Sequence, residues 1–347
     1  MLLRKKSRQV SPPRKKEKNR IQVWMKLNRL DEAELIRAIR KEFRFNQTGI
    51  ALGIGDDAAV IEVEGKSLVL TKDLLLEGVH FLHKLHPPRL LGRKCLNVNL
   101  SDLAAMGALP RYALLGLGMP IGIRTGWVDD FFAGFKSSAK EYDVKLIGGD
   151  ISRAQKLTLS VTLIGEGKNI IKRSGARPGH LLFVSGTLGE AREGLLLLKK
   201  GARMGEDRRV DKMLNTFLNP RAQVELGETL SRLQAASAMI DISDGLSVDL
   251  GHICEESGFG AEIERKKLPV SSELLALQKR AFDFALNGGE DYQLLFSVPA
   301  ERLDAVRRIK KKYALTHIGK ILKEKGIILL DSRGRRKAIQ PRTWQHF

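Results

Sequence analysis

Cysteine is nearly absent: the 347 residues hold two, Cys95 and Cys254. Thiols so far apart exclude a disulfide framework and cysteine-based metal spacings. They read as small buried hydrophobes and fit a reducing cytoplasm. Long apolar runs are absent too. No stretch approaches the ~18 residues that a membrane span needs, and no apolar segment follows the basic N-terminus, which excludes a secretory signal. Aromatics make up only 6%. The basic clusters are not interleaved with them, as a platform for single-stranded nucleic acid would require. The Gly-x-x-x-x-Gly-Lys-Ser/Thr loop is missing, as is the glycine-rich protein-kinase set, so neither P-loop nor protein-kinase chemistry is expected.

What the chain has in excess is positive charge, a formal +20. Residues 1–20 carry nine Lys/Arg against Glu17 alone. A second basic cluster runs from Arg307 to Lys312 and from Arg333 to Lys337. Such runs read as solvated faces plus a disordered tail over residues 1–24. They also suit phosphorylated substrates. Nucleic-acid binding is expected, if at all, only through the tail. Structure is expected from Met25, with capping-box spacing at Asp31–Glu34 ahead of a helix to about Phe43.

Apolar periodicity then gives a mixed α/β order. Strands are expected at Ser67–Thr71, Tyr112–Met119, Lys145–Ile147, Leu157–Glu166, Leu181–Ser185, Ala238–Ile240, Tyr292–Val298, Leu315–Ile318 and Gly326–Leu330. Helices are expected at Pro88–Met106, Trp127–Tyr142, Gly189–Lys199, Arg221–Leu233 (with Pro220 near its first position), Leu246–Glu256 and Ala300–Lys312. Ile50–Val60 reads as turn-rich. The Gly- and Lys/Arg-rich stretch 165–179 makes the best boundary, dividing the chain into 25–167 and 168–347.

One stretch, Asn97–Pro110, sets the functional question. Asp102 lies after Ser101 and before the small apolar run Leu103–Met106, where a solvated side chain has little room. Either Ser101 or Asp102 caps a short helix closed by Gly107, or Asp102 is a buried acid in need of a partner. Other turns repeat the design, an Asp after a short apolar run beside Gly or Ser: Gly53–Asp57, Leu70–Asp73, Ile147–Asp150 and Ile240–Gly245. Gly288–Asp291 adds Glu290. Gathered carboxylates repel one another and repel phosphates, and Mg²⁺ bridging resolves both. Glycines let backbone N–H groups approach phosphate oxygens. Composition and spacing together suggest a Mg²⁺–polyphosphate site.

These motifs, in this order, resemble the thiamine-monophosphate kinases, in the superfamily that includes aminoimidazole ribonucleotide synthetase and selenophosphate synthetase. The stretches that carry the resemblance are Gly53–Val60, Asp73 with Glu77–Phe81, Asn97–Pro110, Leu146–Asp150, Arg173–Ala176, Asp241–Leu246, Gly288–Tyr292 and the closing His346-Phe347. It implies a two-domain α/β fold like that of aminoimidazole ribonucleotide synthetase. The N-terminal domain would bind ATP and pair with a second copy into a dimeric strand barrel. The C-terminal α/β domain would cover the cleft. The implied reaction converts ATP and thiamine monophosphate to ADP and thiamine diphosphate.

Residue by residue, Asp57, Asp73, Asp102, Asp150, Asp241 and Asp244 match the family's magnesium ligands, and Thr71 adds a hydroxyl or backbone oxygen. Arg173 and Ser243 match nucleotide contacts, with Gly149 beside the phosphates and Asp150 on the same turn. His80, Glu290 and Trp344 match substrate contacts, Trp344 as a stacking platform and Glu290 as acceptor for the aminopyrimidine or its charge. A phosphate monoester brings its own nucleophilic oxygen, so no general base is expected and in-line transfer needs alignment and charge neutralisation. Lys72 departs from the pattern, standing where the family usually has a hydroxyl residue. If that position supplies a side-chain ligand, one metal site is weakened; if it supplies backbone oxygen, nothing is lost. The alternatives are a superfamily enzyme with another substrate and a basic nucleic-acid-binding protein.

Overall fold

The computed structural model describes residues 32–43 and 49–340. The basic tail, the Met25 start, Trp344 and the closing His346-Phe347 lie outside the described residues. Two units are distinguished, and one contributes a single described element, the helix α1 (Glu32–Glu42).

The other unit, residues 45–344, holds everything else. Its first half comprises β1 (Ile50–Leu52), β2 (Ala59–Val63), β3 (Lys66–Leu76), α2 (Pro88–Ala105), β4 (Leu109–Met119), α3 (Thr125–Glu141), β5 (Lys145–Arg153) and β6 (Thr158–Gly167). The strands form one sheet in the order β1-β2-β3-β6-β4-β5, antiparallel except for the β4–β5 pair. Strand alternation sets its two faces. Val69, Thr71 and Leu75 of β3 are buried while Lys72 and Leu74 between them are exposed. α2 covers the inner face against β3 and β6, and α3 packs on α2.

The second half continues with β7 (Leu181–Val184), α4 (Glu190–Lys199), α5 (Arg208–Leu218), α6 (Val224–Arg232), β8 (Ala238–Asp241), α7 (Leu246–Ser257), β9 (Gly260–Glu264), α8 (Ser272–Leu277), α9 (Ala281–Asn287), β10 (Leu294–Val298), α10 (Leu303–Ile309), β11 (Thr316–Leu322), β12 (Ile327–Leu330) and β13 (Arg336–Ile339). Its sheet runs β13-β12-β9-β11-β7-β10-β8, with only β9–β12 parallel. The mixed α/β class expected from the sequence is borne out by these two sheets.

α2 is the spine of the unit. Pro88 sits at its first turn, where a missing N–H is harmless, and almost everything beyond Leu91 is buried. Its neighbours come close because both partners offer glycine. A Cβ at Gly92 would lie 2.0 Å from Phe131 O, and one at Gly134 would lie 1.8 Å from Arg89 O. On the far side, a Cβ at Gly227 of α6 would lie 2.1 Å from Ala104 O. Gly107, at φ +66° just past the helix, takes the left-handed conformation that ends it.

Several elements differ from the sequence expectation. The turn-rich reading of Ile50–Val60 overlooked β1 and the start of β2. β5 does not stop at Ile147; it continues through Gly148 and Gly149 to Arg153. α6 begins at Val224 rather than Arg221. Pro220 belongs to the loop before it, where its carbonyl accepts the Asn97 side-chain N–H at 2.7 Å. The basic helix expected over Ala300–Lys312 is a 3₁₀ turn followed by the two-turn α10.

Candidate active site

Asp57 ends the Gly53–Asp57 turn between β1 and β2, where Gly55 takes φ +120°. Its side chain is 1% exposed. Asp102 lies in the last turn of α2, so the helix-start reading is corrected: the capping residue is Met106, and Asp102 projects from a helix already four turns long. Asp241 is the last residue of β8. A turn, a helix end and a strand end thus bring three carboxylates together, each with an oxygen within 4.8 Å of the others. Thr71 donates its hydroxyl to Asp102 Oδ2. Ser101 Oγ donates to Asp241 Oδ2 at 2.6 Å. The backbone N–H of Asp73 donates to Asn99 Oδ1 at 2.9 Å, tying β3 to α2.

Burial, which outweighs the single nearby Arg173 charge, drives these acids upward. Asp73 is pushed up to about 6 by burial. Asp241 is pushed up to about 8 by burial, with Asp57 adding to it. Asp102 sits well above the carboxylate range, first through burial and then through Asp73, Asp241 and Asp57. Asp57 is raised by burial, against the pull of Arg173. One oxygen, Asp57 Oδ2, is buried with no hydrogen-bond partner. Crowded acids and an orphaned anionic oxygen fit a hard divalent cation, which takes oxygen ligands.

Arg173 closes one side. Its Nη2 and Nε donate to Asp57 Oδ1 at 2.6 and 3.2 Å. Its backbone N–H donates to both oxygens of Asp56, at 3.3 and 3.2 Å. Asp56 therefore seats Arg173 as well as accepting the Asp57 N–H at 3.0 Å.

The remaining expected residues fall into separate places. Asp244 groups with Asp249 and His252 rather than with the trio. Asp249 accepts the backbone N–H groups of Asp244 and Gly245 at 3.2 and 3.0 Å, a structural task at the start of α7. Ser243 presents its carbonyl to the Glu290 N–H at 2.7 Å. His80 sits on a tight turn after β3, its Nδ1 accepting the Leu76 N–H at 3.0 Å. Asp150 is exposed on edge strand β5, where Ser152 Oγ donates to it at 3.2 Å, and it belongs to neither carboxylate group. Beside it a Cβ at Gly149 would lie 1.9 Å from Leu115 O. Lys72 is the clear correction: Asp73 points inward and Lys72 outward, donating to Ser160 Oγ at 2.6 Å. Its side chain does not face the carboxylates, and only its backbone oxygen remains for a ligand.

Glu290 holds a surprise. The turn Gly288–Tyr292 places Glu290 at φ +67° and Tyr292 at φ +49°. Its carboxylate pairs with Lys94 of α2, a lysine with no exposed surface. Sequence reasoning missed Lys94 and Asn99, and saw in Ser101 only a helix cap. The available signal was helical spacing: Lys94 and Ser101 are seven residues apart on one face, and Asn99 lies three residues before Asp102.

The family models described as AIR synthase related protein match residues 55–166 for the N-terminal domain and 177–332 for the C-terminal domain. The chain is 37% identical over 327 residues to the thiamine-monophosphate kinase of Aquifex aeolicus, covering 93% of this chain and 100% of that one. It is 39% identical over 303 residues to the thiamine-monophosphate kinase of Haemophilus influenzae, covering 84% and 89%. The solved structure described as "AaThiL complexed with AMPPCP and TMP" superposes with a TM-score of 0.83 at 37% identity, covering 92% of this chain and 99% of that one.

Proposed function

Because the chain belongs to the thiamine-monophosphate kinases of the AIR synthase related family, we propose that it transfers the terminal phosphoryl group of ATP to thiamine monophosphate, yielding thiamine diphosphate and ADP. The observation that carries this reading is the close-set trio of half-buried Asp57 and Asp102 with buried Asp241, and its orphaned oxygen. Both ligands follow from the relative solved with AMPPCP and TMP. The alternative substrate class and the nucleic-acid reading have no comparable support.

Asp57, Asp102 and Asp241, with Asp73 and Thr71 behind them, would hold magnesium, and Asp150 and Asp244 would add ligands from β5 and the turn before α7. Bound there, the metal would neutralise phosphate charge. The Arg173 fork, now on Asp57, is suited to a phosphate of the nucleotide, with Gly149 and Ser243 lining the same approach. At the other end, Glu290 and His80 would receive thiamine, with Trp344 as a stacking platform. Along α2, Lys94 and Asp102 are eight residues apart, about 12 Å at 1.5 Å per residue. That is the scale of a two-ring substrate with a phosphate at its far end. The acceptor oxygen is already an anion, so the chain needs to align and neutralise rather than deprotonate.

We also propose a homodimer and the division at residue 167, where the first sheet ends. All nine residues of β5 are exposed. Within it Ile147 and Ile151 stand open, the latter 63% exposed, and Leu74 and Leu114 are exposed on the outer face of the same sheet. A second copy of the same face would cover it. No described helix is long and apolar enough to cross a membrane, and both cysteines are free and buried, which suits the cytoplasm.

The test is direct. Purified protein is incubated with MgATP and thiamine monophosphate, and products are separated by chromatography. Thiamine diphosphate in proportion to ADP is expected. Folded protein that forms none under saturating Mg²⁺ refutes the reading. A rapid-quench experiment should trap no phosphoenzyme.

A further inference from the structure

Lys94 has no part in the chemistry described above, yet it is the most deeply buried charge of the molecule's centre. It has no exposed surface. Its ammonium donates to the Phe217 carbonyl at 3.0 Å and to Glu290 Oε2, and it lies 4.0 Å from the centre of the Phe217 ring. Three separate elements converge on it: α2 carries it, α5 supplies carbonyl and ring, and the Gly288–Tyr292 turn supplies the carboxylate. His86 stands nearby, with Nε2 3.0 Å from Leu218 O. Burial, assisted by the Lys94 charge, pushes His86 down to about 3 and keeps its ring neutral. Among these neighbours the pairing of charges is therefore one ammonium with one carboxylate.

A buried ion pair is a poor way to hold a helix against a turn. Well-packed apolar residues of similar volume do so as firmly or more so. What the pair supplies is a carboxylate with a fixed direction, because each extra donor or acceptor narrows its rotamers. The turn is itself clamped. A Cβ at Gly289 would lie 2.6 Å from Ser243 O, one at Gly288 would lie 2.5 Å from Phe284 O, and Glu290 holds a left-handed φ. Backbone strain of this kind persists where the surroundings over-determine it. The Glu290 side chain remains 27% exposed while Lys94 is sealed. The pair therefore has one face turned outward, and that face is the carboxylate.

We infer that Lys94 is a positioning residue that acts through Glu290, fixing the carboxylate edge that reads the aminopyrimidine end of the substrate. The inference rests on the assignment of thiamine monophosphate as substrate. It assigns Lys94 no contact with substrate and no part in phosphoryl transfer. Its signature is confined to recognition of thiamine monophosphate, leaving nucleotide and chemistry untouched.

Steady-state kinetics on four proteins test it: wild type, Lys94→Met, Glu290→Gln and the double variant. Lys94→Met is expected to raise KM for thiamine monophosphate at least tenfold, with kcat within threefold and KM for ATP unchanged. Selectivity for thiamine monophosphate over its 4-oxo analogue, oxythiamine monophosphate, is expected to fall by a similar factor. A group acting only through Glu290 adds nothing once Glu290 is neutral, so the double variant is expected to match Glu290→Gln within twofold. An unchanged KM in Lys94→Met overturns the inference, as does a loss in kcat larger than the change in KM. If Lys94→Met does not fold, the comparison of the double variant with Glu290→Gln decides, since the double variant leaves no lone buried charge and Glu290→Gln leaves only the Lys94 ammonium, still held by the Phe217 carbonyl. A double variant tenfold worse than Glu290→Gln overturns the inference. A wild type that turns over no thiamine monophosphate overturns the substrate assignment and this inference together; an active wild type with an unaffected Lys94→Met overturns this inference alone.

Discussion

Replacing Asp102 by Asn should make the metal-free protein more stable while destroying its activity. Asp102 shares its site with Asp57 and Asp241, with oxygens within 4.8 Å. Two full charges at that distance repel by about 3.5 kcal/mol at an effective dielectric of about 20. The group is not fully ionised, because burial raises it well above the carboxylate range and pushes Asp241 up to about 8. Near pH 8 the relief should therefore be about 2 kcal/mol, roughly half of one full repulsion. Asn is isosteric and its side-chain oxygen still accepts from Thr71. With unfolding entropy near 2.1 cal/mol/K per residue, this is a rise in Tm of about 3 °C. Differential scanning calorimetry in EDTA at pH 8 measures it. With Mg²⁺ added, wild type should gain Tm and Asp102→Asn should gain much less. Turnover should fall by about a thousandfold, the order expected on losing about 4 kcal/mol of charge stabilisation. A Tm drop beyond about 5 °C in EDTA would show that the carboxylate serves the fold. Turnover within tenfold of wild type would show that it does not serve the metal.

Other perturbations separate further parts of the reasoning. Asp241 and Asp291 are both pushed up to about 8, chiefly by burial. An acid raised on folding stabilises fully below its unfolded value of about 3.9 and loses that contribution as pH rises through its folded value. Tm in EDTA should thus fall between pH 5 and pH 8.5, and a flat or rising profile contradicts the burial argument. Lys72→Thr should leave the Mg²⁺ half-saturation of activity within twofold, because its side chain points to Ser160; a larger change would put that side chain in the metal site. Ile147→Asp, on the exposed apolar face, should yield monomers by light scattering without lowering the helix content. A dimer of unchanged strength would move the interface elsewhere.

Asp57, Asp102 and Asp241 were legible because acidic turns at strand and helix ends are chemically conspicuous even when far apart in sequence. What was not legible was direction. Lys72 sits between Thr71 and Asp73 and borrows their apparent role, but a strand sends alternate residues to opposite faces. Asp150 follows a Gly-Gly pair that reads as a turn, whereas the pair is strand. Gly149 is needed there because the backbone of Leu115 comes too close for a side chain. Lys94 escaped for the reverse reason. A lysine in a helix is ordinarily an exposed residue, and its burial depends on α5 and the Gly288–Tyr292 turn arriving from residues more than a hundred positions later. α5 itself was missed among its basic residues, although Val210, Met213, Leu214, Phe217 and Leu218 carry a helical apolar stripe.

The glycine contacts of α2 have a consequence for motion. Helices separated by a layer of side chains can shear, because rotamers adjust as the axes slide. α2 meets α3 through Gly92 and Gly134, and α6 through Gly227, with main chain resting on main chain. Such contacts have no rotamers to adjust. The two sheets are therefore pinned to a common axle and cannot swing about it like the halves of a bivalve. Opening and closing are expected instead in loops outside these contacts, on the fast timescale of loops rather than the slower one of domain closure.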